Sequence, residues 1–128
     1  MTLQVELVSP ERILYSGEAE MVIARTTDGE IAFMTGHTPF IGSLGVGPVT
    51  VRVAGGGSDV QAAVHEGFVE VSDDRVTILS DVAELVDDID ASRARRALDA
   101  LERDRREDDA EAEAALRRAR LRLELAGG

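Results

Sequence analysis

The chain has two histidines, His37 and His65, and no cysteine, so any acid–base, nucleophilic or metal chemistry starts from a short list. His37 sits in Gly36-His37-Thr38-Pro39, just after the apolar run that begins Gly29-Glu30-Ile31. A catalytic histidine needs a nucleophile and an orienting acid within reach. Glu30 and Thr38 are close in sequence, but no nucleophile motif accompanies them. A metal site needs converging ligands, and His65 belongs to a different strand region. His37 is therefore either a structural loop residue or a contact residue on an interface. Residues 42–47, GSLGVG, hint at a phosphate loop. Their order is G-x-x-G-x-G, however, and a strand rather than a helix follows, so the helix N-terminus that would hold an anion is missing. The acid pairs Asp73-Asp74 and Asp87-Asp88 read as a turn and a solvated linker. No catalytic residue and no metal site is expected.

The elements around these residues fall into two parts. In residues 1–86, Leu3, Val5 and Leu7 alternate with Gln4 and Glu6, and Val49, Val51 and Val53 with Thr50 and Arg52. Met21, Ile23 and Arg25 alternate likewise with Val22 and Ala24. Alternation of period two between turn residues marks half-buried strands. Turn signals recur at Ser9-Pro10, Ser16-Gly17, Asp28-Gly29, Gly47-Pro48, Gly55-Gly56-Gly57 and Asp73-Asp74, which suits a sandwich or barrel. Residues 91–126 are mostly Ala, Leu, Glu, Asp and Arg without Gly or Pro, a helical composition. Ala91, Ala94, Leu98 and Leu101 share one stripe, and Ala112, Leu116, Ala119 and Leu123 another, as in a helical hairpin at 87–128. Its connection, Asp104–Asp109, has no enforced break, although Asp108 with Glu111 resembles a capping box. Leu121 and Leu125 lie off the second stripe and imply a further packing surface or partner.

Bulk properties exclude several functions. A net charge of −11 cannot neutralise a row of phosphates, so no nucleic-acid partner is expected. All 14 basic residues are arginine, ten of them in 87–128. No apolar run is long enough to span a bilayer, and the start lacks the features of a signal peptide. Aromatics make up only 3%, so aliphatic side chains must fill the core.

Four stretches together carry a family likeness: the N-terminal run ending LYSGEAE at Glu20, GEIAFMTGHTP at 29–39, EGFVEVSDDRVTILSDVAE at 66–84, and IDASRA at 89–94. In order and spacing the chain resembles the ε subunit family of bacterial F-type ATP synthases over nearly its whole length. That resemblance implies an antiparallel β-sandwich of about ten strands followed by a two-helix hairpin. It implies a non-catalytic central-stalk role that couples proton-driven rotation to ATP synthesis, and helices that restrain ATP hydrolysis. The implied partners are the γ subunit, the c ring and, through the helices, the α/β catalytic head. The implied location is peripheral, on the cytoplasmic side of the cell membrane. Glu30 and Ile31 look like part of the tip facing the c ring, and His37, Thr38 and Pro39 like a surface near γ and the ring. Ala32 and Thr35 stand where the family usually has Gly and Pro.

IDASRA further resembles the family's ATP-binding motif, so a weak regulatory nucleotide is implied, with no cofactor required. Ile89, Asp90, Arg93 and Ala94 match the motif. Glu84 matches another nucleotide contact, and Arg118 and Arg122, four apart on one helical face, suit a phosphate clamp. Ala100 replaces a further family arginine. The same residues also fit a plain helix start, with Asp90 as N-cap and Arg93 paired to nearby acids. A different class of reading is a stand-alone β-sandwich ATP-sensing module with a helical lid.

Overall fold

Strand β1 (Leu3–Val8) forms as its alternation predicts: Leu3, Val5 and Leu7 are fully buried while Gln4 and Glu6 are exposed. β1 runs antiparallel to the first half of β2 (Ile13–Thr26) and parallel to β6 (Arg75–Leu79). The second half of β2 pairs antiparallel with β3 (Gly29–Phe33) and β4 (Phe40–Val53). β4 pairs with β5 (Val60–Ser72), which in turn pairs with β6 and with the short β7 (Ala83–Leu85). Because β1 bonds both β2 and β6, the order β1-β6-β5-β4-β2 closes on itself, with β3 and β7 added at its sides. Closure leaves few open edges, the usual liability of a sheet. The computed structural model describes residues 2–103 and 110–126.

Among the described residues seven strands are present rather than about ten, and one pair, β1 with β6, is parallel. The count differs because β2, β4 and β5 are long, at 14, 14 and 13 residues, and β2 and β5 serve different partners along their lengths. β2 shifts register against β4 between Ala19 and Met21 and again between Ile23 and Thr26. β5 turns at Glu66 (φ +67°) and Gly67 (φ +146°). At Gly67 a Cβ would lie 2.1 Å from the Leu79 carbonyl oxygen, so only glycine lets β5 and β6 approach here. The buried Ser80 Oγ holds the same bend, within 2.6 Å of the Glu66 carbonyl and 2.9 Å of that of Val82.

The inward faces build one aliphatic core, with Val22, Ala24, Val49, Val51, Val64, Val69, Val71, Val76 and Ile78 around the fully buried Phe33. Val22 and Ala24 take the inward parity of β2, leaving Met21 and Ile23 half-buried and Arg25 exposed. In β5, Ala62, Ala63, Val64 and His65 are all buried, so this stretch is enclosed on both faces.

The chain divides into two compact units, Met1–Leu85 and Val86–Gly128. In the second, α1 (Ala91–Arg103) lays Ala94 and Leu98 against Leu116, Ala119 and Leu123 of α2 (Ala110–Leu125). Ile89 and Leu101 pack at the rim of this cluster, and the alanines allow close approach of the helices. The half-exposed pair Arg120–Glu102, at 3.8 Å, contributes at most about 1 kcal/mol. Leu121 is buried but lies outside the cluster, and Leu125 is half-buried. The connection at Asp104–Asp109 and the cap expected at Asp108 lie outside the described residues.

Candidate interaction surface

The loop between β3 and β4 is held by short-range bonds and ring contacts. The Gly36 N–H donates to Asp74 Oδ1 at 2.7 Å, tying the loop to the β5–β6 turn, and the His37 N–H donates to the Met34 carbonyl at 3.2 Å. The His37 ring stands edge-on to Phe33 and Phe40, with centroids 5.0 and 6.2 Å away. Its Nδ1 is 2.7 Å from the Thr38 carbonyl oxygen. Packing and hydrogen bonding thus fix the ring. Thr38 and Pro39 are exposed. At the other end of β3, Glu30 is exposed opposite Arg25, while Ile31 packs against the core. The turn before it is closed by Thr26 Oγ1, which donates to the Gly29 carbonyl at 2.7 Å.

The nucleotide-motif residues separate by role. Asp90 caps α1: its Oδ1 accepts from the Arg93 N–H at 3.1 Å, and its carbonyl accepts from the Ala94 N–H at 2.9 Å. The Ala94 side chain is buried in the helical cluster and Ile89 packs against that cluster, so both serve packing. Arg93 is exposed, and Arg118 and Arg122 are half-buried on α2. Glu84, on β7 in the other unit, has Oε1 3.4 Å from Nε2 of the buried His65. Among the described residues no group of three or more His, Cys, Asp or Glu is placed to hold a metal ion.

The structure also brings together residues that the sequence did not connect. Register places Ile13 opposite Val8, Val8 opposite Leu79, Leu79 opposite Phe68, and Phe68 opposite Ser43. Directly opposed residues share a face, and this parity points away from the core. Ile13, Leu79 and Phe68 are 62%, 52% and 60% exposed, and Ile41, diagonal to Phe68, is 77% exposed. An apolar row therefore runs roughly 14 Å across four strands on the outside of the β unit. Exposed apolar residues aligned in this way make the row a candidate interaction surface.

Residues 2–86 match the family model described as "ATP synthase, Delta/Epsilon chain, beta-sandwich domain". The chain is 50% identical to an ATP synthase epsilon chain of Streptomyces griseus, over 94% of this chain and 92% of that one. It belongs to the ATP synthase epsilon chain family. An epsilon chain of Thermobifida fusca is also 50% identical, across 97% of this chain and 91% of its own length. Among solved structures, the fold is similar to a chain in the Euglena gracilis mitochondrial ATP synthase OSCP/F1/c-ring assembly. There the TM-score is 0.84 at 23% identity, covering 99% of this chain and 82% of that one. It is similar also to a chain of the Tetrahymena thermophila mitochondrial ATP synthase central stalk/c-ring, with TM-score 0.67, 15% identity and coverage of 98% and 97%. An epsilon chain is a subunit of ATP synthase and not its catalytic one.

Proposed function

We propose that this chain is a central-stalk subunit that docks on the γ subunit through the outer apolar row and meets the c ring through the Glu30 and His37 loops. The observation that carries the reading is that row: Ile13, Leu79, Phe68 and Ile41 stay in water unless a partner covers them. A stand-alone sensor would have no use for it. Family membership supports the assignment, and the two solved structures of similar fold belong to ATP synthase assemblies that contain a c-ring. No helix among the described residues is long and apolar enough to cross a membrane, and the proposed contact with the c ring puts the chain peripherally on the cytoplasmic side. The helical unit acts as the brake on ATP hydrolysis, and Asp90, Arg93, Arg118 and Arg122 give it weak, regulatory affinity for ATP. The test is co-purification: the full chain and the γ subunit of the same enzyme run as one species on a sizing column. Two separate species at micromolar concentration would leave the sensor reading in its place.

A further inference from the structure

The row next to the apolar one is acidic. Register sets Ser16, Glu6, Thr77, Glu70 and Ile41 side by side across the same outer face. Glu6 and Glu70 are exposed and flank Thr77, so they stand about 10 Å apart. One row further, Glu18 and Arg75 carry opposite charges and offset each other. The two carboxylates thus border the apolar row on this side, and Glu11, Glu66 and Asp81 near its other side outnumber Arg12, in a chain whose net charge is −11.

Resting on the docking reading above, we infer that Glu6 and Glu70 choose the partner: the surface that covers the apolar row brings an apolar stripe flanked by arginine or lysine. Charge decides among occupants. A second copy of this chain would bring carboxylates against carboxylates, which disfavours self-association through this face. A cationic rim on the partner matches the acidic row and accelerates encounter before the apolar side chains lock together. The apolar row then governs how long the complex lasts, and the acids how fast and with whom it forms.

The experiment measures association of the full chain with immobilised γ subunit, from about 50 to about 300 mM salt, where screening shortens from well beyond to below 10 Å. Wild type should associate more slowly as salt rises. Glu6→Gln with Glu70→Gln should associate about fivefold more slowly at low salt, with a flatter salt dependence and a dissociation rate within about twofold of wild type. Glu6→Lys with Glu70→Lys should be slower still. Phe68→Ser should instead raise the dissociation rate. Wild-type association rate and salt slope in both double variants overturns the acidic-row inference, while loss of binding in Phe68→Ser keeps the docking reading. No binding of γ by wild type overturns both.

Discussion

Replacing Gly67 by alanine tests whether the bend of β5 holds the β unit together. Gly67 has φ +146°, a region that L side chains rarely adopt, which costs about 1–3 kcal/mol. The new Cβ would also lie 2.1 Å from the Leu79 carbonyl oxygen and 2.9 Å from Ser80 Cα, both backbone atoms that no rotamer change can move. Relief requires β5 and β6 to part by about 1 Å, loosening the Phe68–Leu79 pairing and the Ser80 contacts that hold the bend. We expect a loss of about 3 kcal/mol or more, which for a unit of this size lowers its melting temperature by about 12–24 °C. The chain contains one tyrosine and no tryptophan. Tyr15 packs against the β core, so its fluorescence reports the β unit selectively. Thermal unfolding followed at Tyr15 decides the matter. A midpoint within about 3 °C of wild type would refute the argument that close approach of β5 and β6 requires glycine.

Other expectations follow from the same geometry. Glu66→Gly relieves a left-handed glutamate at φ +67° but loosens the unfolded chain, so stability at Tyr15 should change by less than about 1 kcal/mol, in contrast to its neighbour. Leu116→Ala, at a fully buried position of the helical cluster, should cost that cluster about 2–4 kcal/mol and lower helical circular dichroism while the Tyr15 transition stays. Asp90→Asn keeps a capping side chain and Asp90→Ala does not, so only the alanine variant should lose about 1 kcal/mol of helical stability. If the carboxylate also serves ATP, titration calorimetry should show both variants weakened, as should Arg93→Ala. Deleting residues 88–128 should leave a folded β unit and raise ATP hydrolysis by the reconstituted complex, with an unchanged rate counting against the brake.

Much of this architecture was readable in the chain, for identifiable reasons. Period-two alternation located Leu3/Val5/Leu7 and Val49/Val51 because each strand has one wet face. The two helical stripes were legible because Ala94, Leu98, Leu116, Ala119 and Leu123 recur at the helical period, and the Asp90 cap because capping is a local interaction. Strand number was not legible: a bend within β5 at Glu66-Gly67 and register shifts between β2 and β4 carry no strong break in the apolar pattern. The outer row was also hidden. It depends on the parallel pairing of β1 with β6, two segments some 70 residues apart, and their register is set by three-dimensional closure. Val8, Ile13, Phe68 and Leu79 each look like an ordinary strand residue until that register aligns them. The burial of His65 escaped for the same reason, since its neighbour Glu84 belongs to another strand.

The most direct measurement is the equilibrium affinity of the γ subunit for the full chain carrying Phe68→Ser and Leu79→Ser. Both side chains are more than half exposed, so the substitutions should leave folding intact by the Tyr15 signal. Each buried apolar side chain contributes about 1.5–3 kcal/mol, so losing both should weaken the complex by about 100-fold or more. An affinity within about threefold of wild type would contradict the claim that this row is where the stalk partner docks.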